Sequence, residues 1–188
     1  MDNGFSEIMR YIKECDKASM LIAIDGRCAA GKTTLAALLK KEINCNIIHM
    51  DDFFLRREQR TLERMQEPGG NVDYERVLRE VMAPISQGKS FSYQIFDCQK
   101  MELSSRIYVE PKPVTIVEGS YSCHPVLWDF YDLHVFLTIE PHKQLERIRQ
   151  RNGEEAALNF SNRWIPLEES YFTAYRIQER CDVVVTIL

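Results

Sequence analysis

One short segment constrains this chain more than any other: Gly26-Arg27-Cys28-Ala29-Ala30-Gly31-Lys32-Thr33. It fits the spacing Gly-x-x-x-x-Gly-Lys-[Ser/Thr], in which the glycines let the backbone curl until several N–H groups point at one anion. The apolar run Met20-Leu21-Ile22-Ala23-Ile24 precedes it, and a stretch with Leu35, Leu38 and Leu39 on one side follows. Strand, glycine loop and helix in that order set the positive end of the helix against a phosphate. Residues 26–33, with Thr34 beyond them, are therefore expected to hold the phosphate tail of ATP. In that reading Lys32 reaches the β- and γ-phosphates, and the Thr33 hydroxyl is a magnesium ligand.

The rest of the chain supplies a matching scaffold. Phe5, Ile8, Met9 and Ile12 recur at helical spacing, so residues 5–17 read as a short amphipathic helix. Further apolar runs at Asn46–Met50, Val114–Val117, Leu133–Ile139 and Val183–Ile187 read as strands buried on both faces. Helical patterns lie between them at 32–41, at about 142–151 and at about 167–179. Another, carrying Val77, Leu78, Val81 and Met82, follows the break Glu67-Pro68-Gly69-Gly70-Asn71 and is capped by Asp73. Residues 90–110 read as short strands or a hairpin on the flank, and the polar stretch 152–163 as a mobile loop. Five strands alternating with helices give an α/β fold with a mainly parallel sheet, in a single domain spanning 1–188. Ligands of such sheets bind at the carboxyl ends of the strands, so Asp25, Asp51-Asp52 and Glu118 should converge on one crevice.

Each candidate has an ordinary alternative. Asp51 is placed to orient or deprotonate a substrate hydroxyl, or to hold magnesium, while Asp52 fits a capping role. Glu118 ends a strand where a metal-holding acid is needed. Arg147, Arg149 and Arg151 form the densest cationic cluster, with Arg163 beyond. On a helix Arg147 and Arg151 share a face and Arg149 points away, so the first two could serve a moving phosphoryl group and the third a solvated ion pair. Among the aromatic residues near these motifs, Phe53, Phe54, Tyr93, Phe96 and Tyr121 suit either a base or a core.

Net charge is −4 over 188 residues, and no basic run reads as a nucleic-acid arm. The six cysteines form no Cys-x-x-Cys pair. No secretory leader is read, and the run Met20–Ile24 is too short to span a bilayer. The expectation is a cytoplasmic protein with reduced thiols and no membrane partner.

Taken together, these segments resemble the uridine kinase and phosphoribulokinase-like family of P-loop kinases. The resemblance rests on Ile24-Asp25-Gly26, Met50-Asp51-Asp52-Phe53-Phe54, Tyr93 through Asp97, Val117-Glu118-Gly119, Arg147 to Asn152, and Arg163 to Phe172 with Pro166 and Glu168. It implies a three-layer P-loop fold with a small lid over about 147–163. It implies ATP-dependent transfer of the γ-phosphoryl group to a hydroxyl of a nucleoside, uridine or cytidine first. Lys32, Asp51, Arg147 and Arg151 would be catalytic, Asp51 as the base. Thr33 and Glu118 would hold magnesium, and Asp51, Phe54, Tyr93 and Phe96 would line the acceptor site. Cys98 stands where the nucleoside kinases carry an aromatic, and Met101 roughly where they carry a base-reading His. The chain is also shorter than typical members, and Gly69–Asp73 aligns only loosely with their ribose-binding acid. A kinase for another hydroxyl metabolite, a sugar or vitamin precursor, stays open beside the nucleoside reading, as does a nucleotide-binding switch that transfers nothing. Members of the family often form homo-oligomers.

Overall fold

The structure, a computed structural model, describes residues 2–187. After α1 (Asp2–Glu14), the chain enters β1 (Met20–Gly26), α2 (Lys32–Glu42) and β2 (Cys45–His49). The short helices α3 (Leu62–Gln66), α4 (Tyr74–Val77) and α5 (Ala83–Ser86) follow, then the hairpin β3 (Phe91–Asp97) and β4 (Glu102–Val109). The second half runs β5 (Val114–Glu118), α6 (Pro125–Trp128), β6 (Leu133–Ile139), α7 (Pro141–Asn152), α8 (Glu154–Asn159), α9 (Ile165–Tyr175), α10 (Ile177–Arg180) and β7 (Val183–Ile187).

Five strands form one parallel sheet in the order β2-β5-β1-β6-β7, and β3 with β4 makes a separate antiparallel pair. The chain leaves β1 toward one edge and later returns to the other side of it. The crevice at the carboxyl end of β1 is thus a topological switch point, where such sheets hold ligands. Alternation along β1 assigns its side chains to two cores. Leu21 and Ala23 face a cluster with Phe136, Tyr171 and Phe172, while Met20, Ile22 and Ile24 face Leu35, Leu39, Ile116 and Val135. A strand covered on both faces has no polar side, hence its unbroken apolar sequence.

The same alternation decides where each strand-end acid points. Asp25 has the parity of Leu21 and Ala23 and enters the core under α9, fully buried. It accepts hydrogen bonds from the Gly26, Tyr121 and Cys123 N–H groups and from the Tyr171 hydroxyl at 2.7–3.1 Å. The expectation that it opens on the crevice is thus corrected: it pins the turn after β5. Glu118 has the parity of Val114 and Ile116 and points to the face that α2 covers.

The stretch expected as a mobile loop is helical. Gly153, at φ 87°, ends α7, and α8 starts at once and runs through a π-helical turn at Phe160–Trp164 into α9. Ala156, Ala157 and Leu158 favour helix, and Ala157 is buried in a cluster with Cys28 and Ile148. The charged residues that suggested a loop cover only the outer side. The expected hairpin at 90–110 is present, and Asp73 caps α4 by accepting from the Arg76 N–H at 3.0 Å.

Candidate active site

The glycine loop is held against the end of β6. The Arg27 N–H donates to the Leu137 carbonyl at 3.0 Å, and Gly26 sits so close that a Cβ there would lie 2.1 Å from the same oxygen. Gly26 and Gly31 have φ of 128° and 92°, and Ala29 adopts the left-handed region at φ 59°. For a residue with a side chain this conformation carries strain, which is typical of functional loops. The Arg27, Cys28 and Ala30 N–H groups are taken up by Leu137, Glu168 and Arg27, which leaves the first N–H groups of α2, from Lys32 on, to meet a phosphate.

Lys32 leads α2, and its Nζ donates to the Gly26 and Arg27 carbonyls at 2.6 and 3.0 Å and to Ser120 Oγ at 3.2 Å. Thr33 Oγ1 donates to the Glu118 carboxylate at 3.0–3.1 Å. His49, opposite Glu118 in the strand register, places Nδ1 2.5 Å from Glu118 Oε1. That hydrogen bond raises the imidazole's pKa. Two hard oxygen donors thus meet at the mouth of a phosphate loop, a donor set that fits magnesium, with His49 orienting the carboxylate.

Asp51 is the second residue of the 3-10 turn Met50–Phe53 after β2 and lines the same opening. Desolvation by the cleft walls pushes its pKa up; Lys32 opposes this, Glu118 adds to it, and His49 and Arg151 oppose it. A carboxylate raised in this way holds a proton more readily than an ordinary aspartate, which suits a general base. Asp52 instead accepts from the Tyr93 hydroxyl at 3.2 Å.

Lys32, Thr33, Thr34, Asp51, Phe54, Glu118, Arg147 and Arg151 all line one cleft of about 640 Å³, together with Cys28, Ala29 and Gly31. Arg147 reaches the Ala29 carbonyl at 3.4 Å, whereas Arg149 turns out to pair with Glu154 at 2.6 Å. Gly26, Arg27 and Ala30 are not in the lining. Arg27 forms a two-point ion pair with Glu169 at 2.7 and 2.9 Å. Tyr93 and Phe96 do not reach the cleft either. A bulge between Gln94 and Phe96 turns both to the inner face of β3, where they are 1% and 3% exposed and Tyr93 packs on Phe53 at 5.1 Å.

Several lining residues carry no site role from the sequence: Arg60, Met65, Asn71, Ser120, Phe160, Trp164 and Glu168, while Tyr121, read as suiting a base or a core, lines the cleft as well. Glu168 accepts from the Cys28 N–H at 3.0 Å and from Ser120 Oγ at 2.6 Å. With Glu169 on Arg27, it fastens α9 to the loop. The consecutive pair Glu168-Glu169 after Pro166 was the readable signal. Phe160 and Trp164, four residues apart, both line the cleft from the turn that leads into α9, as ordinary helical spacing also allows. Ser120 and Tyr121 simply continue the chain past Glu118.

The chain is similar to proteins already known. The AAA domain family model matches residues 22–163. Nicotinamide riboside kinase 2 of Mus musculus is 30% identical over 138 residues, covering 70% of this chain and 67% of that protein. Uridine-cytidine kinase C of Dictyostelium discoideum is 24% identical over 82% of this chain but only 36% of its own length, so the chain spans about a third of that relative. A possible uridine kinase from Bacillus stearothermophilus has the same fold, with a TM-score of 0.72 at 21% identity over 97% of each chain. Among the described residues no helix is long and apolar enough to cross a membrane. With a family match over well more than half its length, the chain belongs to the AAA domain family, as a relative of P-loop kinases.

Proposed function

We propose that this protein transfers the γ-phosphoryl group of magnesium ATP to a hydroxyl of a small metabolite of nucleoside size, with uridine and cytidine as the first candidates. The observation that carries the reading is the shared lining of one cleft by the phosphate loop, Asp51, Glu118 and two lid arginines. Phe54, Phe160 and Trp164 also line the cleft, which suits a flat base. The relatives named for uridine-cytidine and nicotinamide riboside support the same class. Cys98 and Met101 in the same lining favour keeping a non-nucleoside hydroxyl metabolite as the second reading.

In this mechanism the first N–H groups of α2 and the Lys32 ammonium hold the β- and γ-phosphates, Lys32 leaving its backbone carbonyls to do so. Thr33 and Glu118 are the residues that would hold magnesium, which supplies charge neutralisation of the phosphates when bound. Asp51 accepts the proton of the acceptor hydroxyl as its oxygen bonds to the γ-phosphorus, and the bond to the bridging oxygen of ADP breaks. Arg147 and Arg151 offset charge on the group in transit, and the lid over about 147–163 keeps water out. The same reading makes 1–188 one kinase domain of a cytoplasmic enzyme.

The test is ATP turnover across a panel of nucleosides and sugars, with Asp51→Asn alongside. A kinase consumes ATP when its acceptor is present, and Asp51→Asn should lower kcat by about 10²–10⁴-fold with ATP binding retained. ATP consumption indifferent to every acceptor would exclude kinase action, and near-normal kcat in Asp51→Asn would remove Asp51 as the base.

A further inference from the structure

Two donor groups that line the cleft, Arg60 and Asn71, keep unused hydrogen-bonding capacity. Arg60 gives its Nε–H to the Leu55 carbonyl at 3.0 Å, which fixes the plane of the guanidinium. Its neighbours in sequence are paired, Arg56 with Glu58 at 3.3 Å and Arg64 with Glu75 at 2.6 Å. Arg60 has no carboxylate within ion-pairing distance among the described residues, and it lines the cleft. Burial, reinforced by repulsion from Arg163, lowers its pKa, so the neighbourhood is short of negative charge. Arg163 itself lies over the ring of the lining residue Trp164 at 4.7 Å. Asp51 does not neutralise Arg60: the charges that act on it most are Lys32, Glu118, His49 and Arg151.

Asn71 is the second such group. It is 6% exposed, lines the cleft, and its Nδ2 is hidden from solvent with no hydrogen-bond partner. Its segment is held in place, since Arg64 donates to the carbonyls of Gly70 and Val72 at 2.8 and 2.9 Å. The amide lies beside the Tyr121 phenol, which is raised by burial and partly restrained by Asn71, yet no bond of proper geometry uses Nδ2. A buried N–H group without an acceptor is costly and persists where a ligand supplies the acceptor.

Both groups lack the same thing, a ligand oxygen, and Arg60 lacks a negative charge as well. A neutral base carbonyl would satisfy Asn71 and leave Arg60 uncompensated. We infer that the acceptor carries an oxyanion, a carboxylate or a phosphate, in addition to the hydroxyl that faces Asp51, and that the free edge of the Arg60 guanidinium and Asn71 Nδ2 bind it. A planar guanidinium matches either oxyanion at two points. The inference rests on the kinase reading of the cleft and, within it, favours a charged acceptor over the neutral uridine and cytidine.

Calorimetric titration of the full chain loaded with magnesium ADP tests it, using three probes: uridine, orotidine (uridine with a carboxylate on the base) and uridine 3′-monophosphate. At least one charged probe should bind about 10-fold or more tightly than uridine. Whichever is tighter identifies the oxyanion. Arg60→Met should bring that preference below about twofold while magnesium ADP binds as before. Asn71→Leu should weaken the same probe and leave the melting temperature unchanged or higher, because it removes an unsatisfied donor; a merely structural Asn71 would lower it. Binding of all three probes within about twofold of one another, no binding by any, or a preference that survives Arg60→Met would each overturn the inference. Loss of magnesium ADP binding in the unaltered chain would instead bring down the kinase reading itself.

Discussion

Two buried ionisable residues, Asp25 and His124, respond to pH in opposite directions. His124 stacks on Tyr74 at 4.1 Å, and its Nδ1 accepts from the Val126 N–H at 3.3 Å. Burial, with the Arg64 charge nearby, depresses its pKa to about 4 from 6.5. Between those values the unfolded chain binds a proton that the folded chain refuses, so stability is lost as pH falls through that window. Asp25 is raised by burial to about 6 from 3.8, against the pull of its four hydrogen bonds and Lys32. Here the folded chain keeps a proton that the unfolded chain has released, so stability is gained as pH falls from about 6. At pH 5 the two effects come to roughly 2 kcal/mol against roughly 1.4 kcal/mol, and the wild type should be nearly flat with pH. His124→Phe should expose the Asp25 slope, gaining about 2 kcal/mol on the wild type between about pH 8 and pH 5 in urea titrations. A difference between the two proteins that stays constant with pH would rule out a neutral, buried His124. Neither residue's role was legible in the sequence. Asp25 read as a cleft acid because strand ends were taken without side-chain parity, and His124 offered no motif at all.

At the scale of elements, continuous apolar runs located every strand of the parallel sheet and period-3.6 patterns most of the helices, although the edge strand β7 is covered on one face only. The lid escaped this logic. Its helix α8 buries little beyond Ala157, so its sequence is dominated by solvent-facing Glu and Asn and reads as a loop. Yet one lid prediction follows from helical spacing and survives into the three-dimensional arrangement. Arg147 and Arg151, four residues apart on α7, line the cleft, and Arg149 does not. Arg151→Ala should therefore slow phosphoryl transfer on the order of 10²-fold in single-turnover assays, with less effect on acceptor affinity. Arg149→Ala, which breaks only an exposed pair with Glu154, should leave the rate within about twofold. Equal effects from the two substitutions would return Arg151 to the solvated surface.

The whole molecule is tied together at the phosphate loop, and this makes nucleotide binding a global event. The loop is bonded to β6 through Arg27 N–H and Leu137, to α9 through Glu168 and Glu169, and to α7 through Gln144, whose Nε2 donates to the Cys28 carbonyl at 3.1 Å. The motif itself was plain in the sequence because its spacing is local. These long-range ties were not, since they join residues more than a hundred positions apart. A ligand that binds the folded loop alone stabilises the entire chain by mass action, about 2.7 kcal/mol at a hundred times its Kd. For a chain of this size that corresponds to a rise in Tm of roughly 5–11 °C. Magnesium ATP should produce such a shift in the wild type, and Lys32→Ala should lose most of it, because the ammonium group on the β- and γ-phosphates is gone while the fold remains. The decisive measurement is the melting curve of both proteins over a nucleotide titration. Equal shifts would show that Lys32 does not touch the phosphates, and no shift in the wild type would mean that the loop holds no nucleotide.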